Sequence, residues 1–152
     1  MQKITTFLWF DNNAEEAINF YLSVFKNGKI KDMVRQGDGG PVFTATFELE
    51  GQEFYALNGG PMFKFNEAIS LFVKCDTQEE IDHFWEKLSE GGEKSRCGWL
   101  KDQFGLCWQI VPPILGELMK DKNQSKASSV IQAMMQMDKI VIQDLKDAYD
   151  RG

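Results

Sequence analysis

Apolar residues along this chain follow two spacings that alternate, every second residue and then every third or fourth. Residues 3–10 read as a strand: Ile4, Phe7, Leu8, Trp9 and Phe10 are apolar, and Thr5 and Thr6 favour extended backbone. Asn12-Asn13 stops it. Ala14, Ala17, Ile18, Tyr21, Leu22 and Phe25 then recur at helical spacing and predict a helix with one apolar stripe. Asn13 is placed to cap that helix, with Glu16 three residues on completing a capping box, and Asn27-Gly28 to end it. Residues 29–35 predict a strand, and Gly37-Asp38-Gly39-Gly40-Pro41 a turn. Strand 42–50 alternates, with Phe43, Ala45, Phe47 and Leu49 on one face and Thr44, Thr46 and Glu48 on the other. A tight turn, Glu50-Gly51-Gln52, leads into strand 53–58, and Asn58-Gly59-Gly60-Pro61 closes the segment.

The same order then begins again. Strand 68–74 carries Ile69, Leu71, Phe72 and Val73. Thr77 and Glu80 form a second capping box before a helix with Ile81, Phe84, Trp85 and Leu88 on one face, ended by Gly91-Gly92. Strands near 94–101 and 106–111 flank the turn Lys101-Asp102-Gln103-Phe104-Gly105. At an offset of 64, Asn13 meets Thr77, Glu15 and Glu16 meet Glu79 and Glu80, Phe20 meets Phe84, Tyr21 meets Trp85 and Gly28 meets Gly92. Agreement of strand, stop, cap, stripe and closing glycine predicts an internal duplication. The expected fold is α+β: two tandem βαβββ units plus C-terminal helices. Unit one covers 1–60, unit two 65–112, and a helical tail 113–152, within a single domain. In the tail, Ile114, Leu115 and Leu118 predict a short helix. Ala127, Val130, Ile131, Met134 and Met137 stripe a second over 125–137, and Leu145, Ala148 and Tyr149 a third. The tail is read as packing on its own domain or on a second subunit.

Composition narrows the classes. The 152 residues are 43% hydrophobic and 26% charged, the balance of a globular domain. A net charge of -6 repels phosphate backbones, so nucleic acid is not an expected partner. The loose cluster Lys26, Lys29 and Lys31 is read as a solvated face. Cys75, Cys97 and Cys107 are odd in number without C-x-x-C spacing, which argues for a reducing compartment and against a disulfide scaffold. The N-terminus lacks a signal-peptide layout, because the apolar run Phe7–Phe10 stops at Asp11, and no stretch approaches the roughly 20 apolar residues that span a bilayer. The expected location is cytoplasmic, with no membrane partner.

Four segments carry a family likeness: Phe10-Asp11-Asn12-Asn13-Ala14-Glu15-Glu16-Ala17, Gly59-Gly60-Pro61-Met62-Phe63, Cys97-Gly98-Trp99-Leu100-Lys101-Asp102, and Trp108-Gln109-Ile110-Val111-Pro112. With the duplicated unit and the Asp-x-x-Gly turn at Asp102–Gly105, the chain resembles the vicinal oxygen chelate superfamily of glyoxalase I, extradiol dioxygenases and antibiotic-binding resistance proteins. More narrowly it resembles the PhnB-like, or 3-demethylubiquinone-9 3-methyltransferase domain, family. The likeness covers about residues 1–112. It implies a curved sheet around a cavity and a homodimer. In the metal enzymes of that superfamily the ligands come from the first and last strands of each unit. That implication falls on Thr6 and Ser70, and on Asn58 and Gln109.

Those four residues are hydroxyls and amides, which bind divalent iron, zinc or nickel weakly. The single histidine, His83, sits between Asp82 and Phe84, off the helical stripe, and is read as a solvated helix residue. Glu48 and Glu53 are read as surface carboxylates. No metal and no cofactor are therefore expected. Alternation puts Leu8, Phe72 and Cys107 on the same inward faces as the four polar residues, and Trp99 is the preferred aromatic contact. Cys107 lacks a histidine to activate it and is read as a small buried filler. The expected binding set is thus Thr6, Leu8, Asn58, Ser70, Phe72, Trp99, Cys107 and Gln109, holding a small aromatic or quinone-like molecule. Three alternatives stay open: a metal-dependent lyase or dioxygenase with a degenerate site, methyl transfer, and a purely structural dimer module. Against methyl transfer, the first strand-to-helix turn, Asp11-Asn12-Asn13, has no glycine, and Gly37-Asp38-Gly39-Gly40 precedes a strand.

Overall fold

The first apolar run does become a strand, β1 (Thr6–Phe10), and α1 (Ala14–Val24), β2 (Gly28–Arg35), β3 (Val42–Leu49) and β4 (Gln52–Asn58) follow it. The structure, a computed structural model, describes residues 2–152. It separates into two units, the first ending at Phe65 and the second running Asn66–Gly152. In the first, the strands lie in the order β1-β4-β3-β2, with β1 parallel to β4 and the other pairs antiparallel. The α1 stripe covers one face of this sheet. Tyr21 stacks on Phe47 (6.4 Å between ring centroids) and Phe47 on Phe54 (5.3 Å). Leu8, Phe10, Ala45, Leu49 and Ala56 complete the buried layer. Burying each large side chain contributes about 1.5–3 kcal/mol, so this face holds the unit together.

Three local expectations change. Asn13 makes no side-chain cap. The Asn58 side chain at the end of β4 reaches across instead, and its Oδ1 accepts from Ala14 N–H at 2.9 Å. Helix α1 ends at Val24, because Phe25 turns extended and buries its ring. Gly28 opens β2 and does not terminate the helix. A side chain there would put Cβ 2.7 Å from Leu22 Cδ2 and 3.0 Å from the Glu48 carbonyl oxygen, so the close helix–strand approach favours glycine. Phe43 leaves the buried face of its strand, because the register slips between Val34 and Arg35 and Val42 turns inward in its place.

The second unit repeats the plan as β5 (Ser70–Lys74), α2 (Gln78–Leu88), β6 (Glu93–Lys94), β7 (Trp99–Lys101) and β8 (Cys107–Val111), in the order β5-β8-β7-β6. The duplicated α+β unit is therefore real, and each copy carries its own four-stranded mixed sheet. The second capping box forms: Thr77 Oγ1 accepts from Glu80 N–H at 3.2 Å. The expected strand 94–101 splits into β6 and β7. Between them Cys97 (φ 59°) and Gly98 (φ 84°) leave the ladder, and their N–H groups donate to Met137 and Asp138 carbonyls, both at 2.8 Å. A Cβ on Gly98 would lie 2.8 Å from the Ile110 carbonyl oxygen, so the position needs glycine on two counts.

The tail forms α3 (Pro113–Met119), α4 (Gln124–Met135) and α5 (Ile142–Arg151). Val111, Leu115, Val130, Ile140 and Leu145 make a buried cluster, flanked by Leu118, Met134, Met137 and Tyr149. The tail therefore packs on its own unit. Among the described residues no helix is long and apolar enough to cross a membrane.

Candidate functional site

Helix α2 packs against β7 and β8, and Leu100, Trp108 and Ile110 are buried on that side. The opposite face of the second sheet is the open one. Register puts three rows across it. Ser70 stands beside Cys107, and Cys107 beside Lys101. Phe72 stands beside Gln109, and Gln109 beside Trp99. Lys74 stands beside Val111. Neighbouring strands run about 4.8 Å apart, so the Gln109 amide sits between two aromatic side chains. Gln109 and the Ser70 hydroxyl share a hydrogen bond of 2.9 Å. That bond occupies one end of the amide and aims the rest.

A cavity of about 580 Å³ opens on these rows, lined by Phe72, Lys74, Trp99 and Gln109 from the sheet. Leu115, Gly116, Met119 and Met134 of the tail form its other wall. A second cavity, about 440 Å³, lies on the other side of Trp99 and Cys97, which line both. Its lining is more polar and includes Arg96, Cys107 and the Lys101–Glu67 ion pair (3.3 Å). Cys107 is 2% exposed, and burial pushes its thiol up, which disfavours the nucleophilic thiolate. Asp102, in the turn before β8, is buried but is spent on structure. Its Oδ1 accepts from the Phe104 and Leu106 amides and its Oδ2 from the Trp108 indole, at 2.9–3.0 Å.

Of the expected residues, the second unit brings together Ser70, Phe72, Trp99, Cys107 and Gln109 on one face. It does not do so for the first three. Thr6, Leu8 and Asn58 share the face of the first sheet that carries Phe10, Phe54 and Ala56, and α1 packs on that side. Leu8 is buried there. Asn58 has both ends of its amide engaged, accepting from Ala14 and donating to the Val42 carbonyl at 2.9 Å. The physical reason is a one-residue difference between the copies. The helices correspond at 64, as Tyr21 and Trp85 show. The strands correspond at 65, Phe10 taking the buried place of Cys75, because three residues link Phe10 to α1 and two link Cys75 to α2. A one-residue slip reverses every side chain on a strand. The true counterpart of Phe72 is Phe7, paired with Tyr55 and like it exposed. Lys74, Cys97 and the tail residues were not expected. Period two from Phe72 already pointed to Lys74, whereas nothing in the sequence docks α3 and α4 on this face.

The polar residues that the family likeness suggested for a metal do not fit one. Asn58 is consumed by backbone groups, and Ser70 and Gln109 bond each other. Among the described residues no three His, Cys, Asp or Glu side chains gather as a metal set.

A βαβββ unit repeated within one chain, each sheet ordered 1-4-3-2, defines the vicinal oxygen chelate fold. The family model described as 3-demethylubiquinone-9 3-methyltransferase matches residues 2–111, and the chain belongs to that family. It is 40% identical to a Bacillus cereus PhnB protein bearing the same methyltransferase name, with 73% of this chain and 99% of that one covered at a TM-score of 0.69. A Pseudomonas aeruginosa protein shares the fold at 21% identity, with 74% and 98% covered and a TM-score of 0.62. So does the fosfomycin resistance protein FosX of Listeria monocytogenes, at 14% identity, with 79% and 98% covered and a TM-score of 0.58. No curated protein matches the chain.

Proposed function

We propose that this protein binds a small organic molecule on the open face of its second sheet, without a metal. The observation that carries the reading is the Gln109 amide, held at one end by Ser70 between Phe72 and Trp99, beside an apolar cavity of about 580 Å³. Small-molecule sites fall at roughly 300–1,000 Å³, mostly apolar, with a few aimed polar groups. Methyl transfer, named in the family description, has less support, because the β1–α1 turn offers no glycine to a nucleotide-like cofactor. Metal-dependent lyase or dioxygenase chemistry has less support because the donors are neutral and engaged. The homodimer implied by the family likeness belongs to the same reading, as does a cytoplasmic location, with three free cysteines consistent with a reducing compartment.

Thermal-shift screening of the full chain against aromatic and quinone-like compounds tests this. A ligand at a hundred times its Kd adds about 2.7 kcal/mol of stability, a rise of several degrees. Phe72→Ala and Gln109→Leu are expected to abolish the rise, and Thr6→Val to leave it. A screen without any stabiliser, or a rise that survives both pocket substitutions, overturns the reading. Calorimetry with S-adenosylmethionine is expected to show no binding heat.

A further inference from the structure

The lining of the larger cavity carries one charge. Lys74 is its only ionisable side chain besides the Cys97 thiol, and its ammonium has no hydrogen-bond or ion-pair partner among the described residues. Three other lysines of this unit hold ion pairs, Lys94 with Glu86, Lys101 with Glu67 and Lys139 with Asp82, and Lys74 is the lysine that lines this cavity. Lys74 lies two residues along β5 from Phe72, a rise of about 7 Å, on the same face. The opposite wall is made by Leu115, Met119 and Met134, two of them flexible thioethers that adapt to flat rings. These come from the tail. The family match stops at residue 111, and the Bacillus cereus relative is 99% covered by 73% of this chain, so this wall lies outside the family match.

We propose that the tail turns this face into a site for an aromatic monocarboxylate, its ring beside Phe72 and Trp99 under the two methionines and its carboxylate on Lys74. The proposal rests on the small-molecule reading and adds the ligand class and the element that selects it. A single ammonium is a point charge suited to one carboxylate. A phosphate dianion would find no second cation in the lining and would meet a chain of net charge -6. The ring-to-lysine spacing calls for a short arm, as in 3-phenylpropionate.

The test titrates 3-phenylpropionate and its neutral amide into the full chain carrying ¹³C-methyl methionine, and into Lys74→Met. The acid is expected to bind about tenfold or more tightly than the amide, as a charge-assisted hydrogen bond predicts. Lys74→Met should bring the two to parity by weakening the acid alone, and the Met119 and Met134 methyl resonances should shift with either compound. Equal affinity for acid and amide in the unsubstituted chain, with those two methyls shifting, overturns the charge assignment and leaves the small-molecule reading standing. Shifts confined to the other methionines remove the tail from the site and overturn the proposal. Absence of binding by both compounds also overturns it, and the broader reading is then decided by the thermal screen alone.

Discussion

Among the described residues, three side-chain amides bond both a backbone N–H and a backbone carbonyl. Gln2 gives and takes a bond with Glu53, Asn58 links Ala14 to Val42, and Gln78 links the Ile140 carbonyl to the Ile142 amide. Gln109 differs, because its one bond is to another side chain. That difference separates structural amides from the candidate binding amide better than strand position does. Asn58→Ala strands the Ala14 N–H and the Val42 carbonyl, and is expected to cost about 1–3 kcal/mol in chemical denaturation. Gln109→Leu is expected to cost little by the same measurement while removing ligand response. The cysteines give a second residue-scale expectation. Cys75 is fully buried, and desolvation, then Glu80 and Asp76, push its thiol from 9.0 up to about 12. The native state keeps this proton where the unfolded chain loses it, so its contribution is whole below pH 9 and falls away towards pH 12. Cys75→Ala is expected to flatten the loss of Tm over that window, and native Cys75 to resist alkylation at pH 8 while Cys97 reacts.

At the scale of elements, strand parity and helix docking decide what the site contains. The helical stripes were legible: Ala17, Ile18 and Tyr21, and Ile81, Trp85 and Leu88, are buried as their spacing requires. Strand face was legible only relative to a register. The offset of 64 carried Thr6 onto Ser70, while the shorter β5–α2 connection moves the true strand match by one. The tail helices were legible as amphipathic elements, but their target was not, since a stripe says that a face is covered and not by what. Here Gln78 is the clamp. It joins the start of α2 to the segment entering α5, and Lys139 adds an ion pair to Asp82 at 2.8 Å. Gln78→Leu leaves two backbone groups unpartnered and is expected to cost about 1–3 kcal/mol. Its signature is faster amide exchange in α5 with α1 unchanged, and uniform protection would show that the clamp does not hold the tail.

For the whole molecule, the family match ends at residue 111 and the chain continues for about another four tenths of that length in a helical tail that buries Val111, with Met137 and Asp138 between its helices bonding Cys97 and Gly98. The Bacillus cereus relative is 99% covered by 73% of this chain, and here the second unit packs Val111 against the tail. Truncation after Pro112 removes Leu115, Val130, Ile140 and Leu145 from one buried cluster. It is expected to lower stability by at least about 3 kcal/mol and to reduce the denaturant slope, because less surface remains to be exposed. An unchanged midpoint and slope would show the tail to be a passenger. The sequence by itself determined the duplicated βαβββ plan, the helical stripes, the second capping box and the helical tail, because each is written in periodicity within a short window. Only the tertiary structure decided that Asn58 caps α1, that Thr6 and Leu8 turn towards the helix, and that methionines from the tail face Trp99 across a cavity. Those outcomes depend on register across strands and on docking between distant segments, and neither leaves a trace in local spacing.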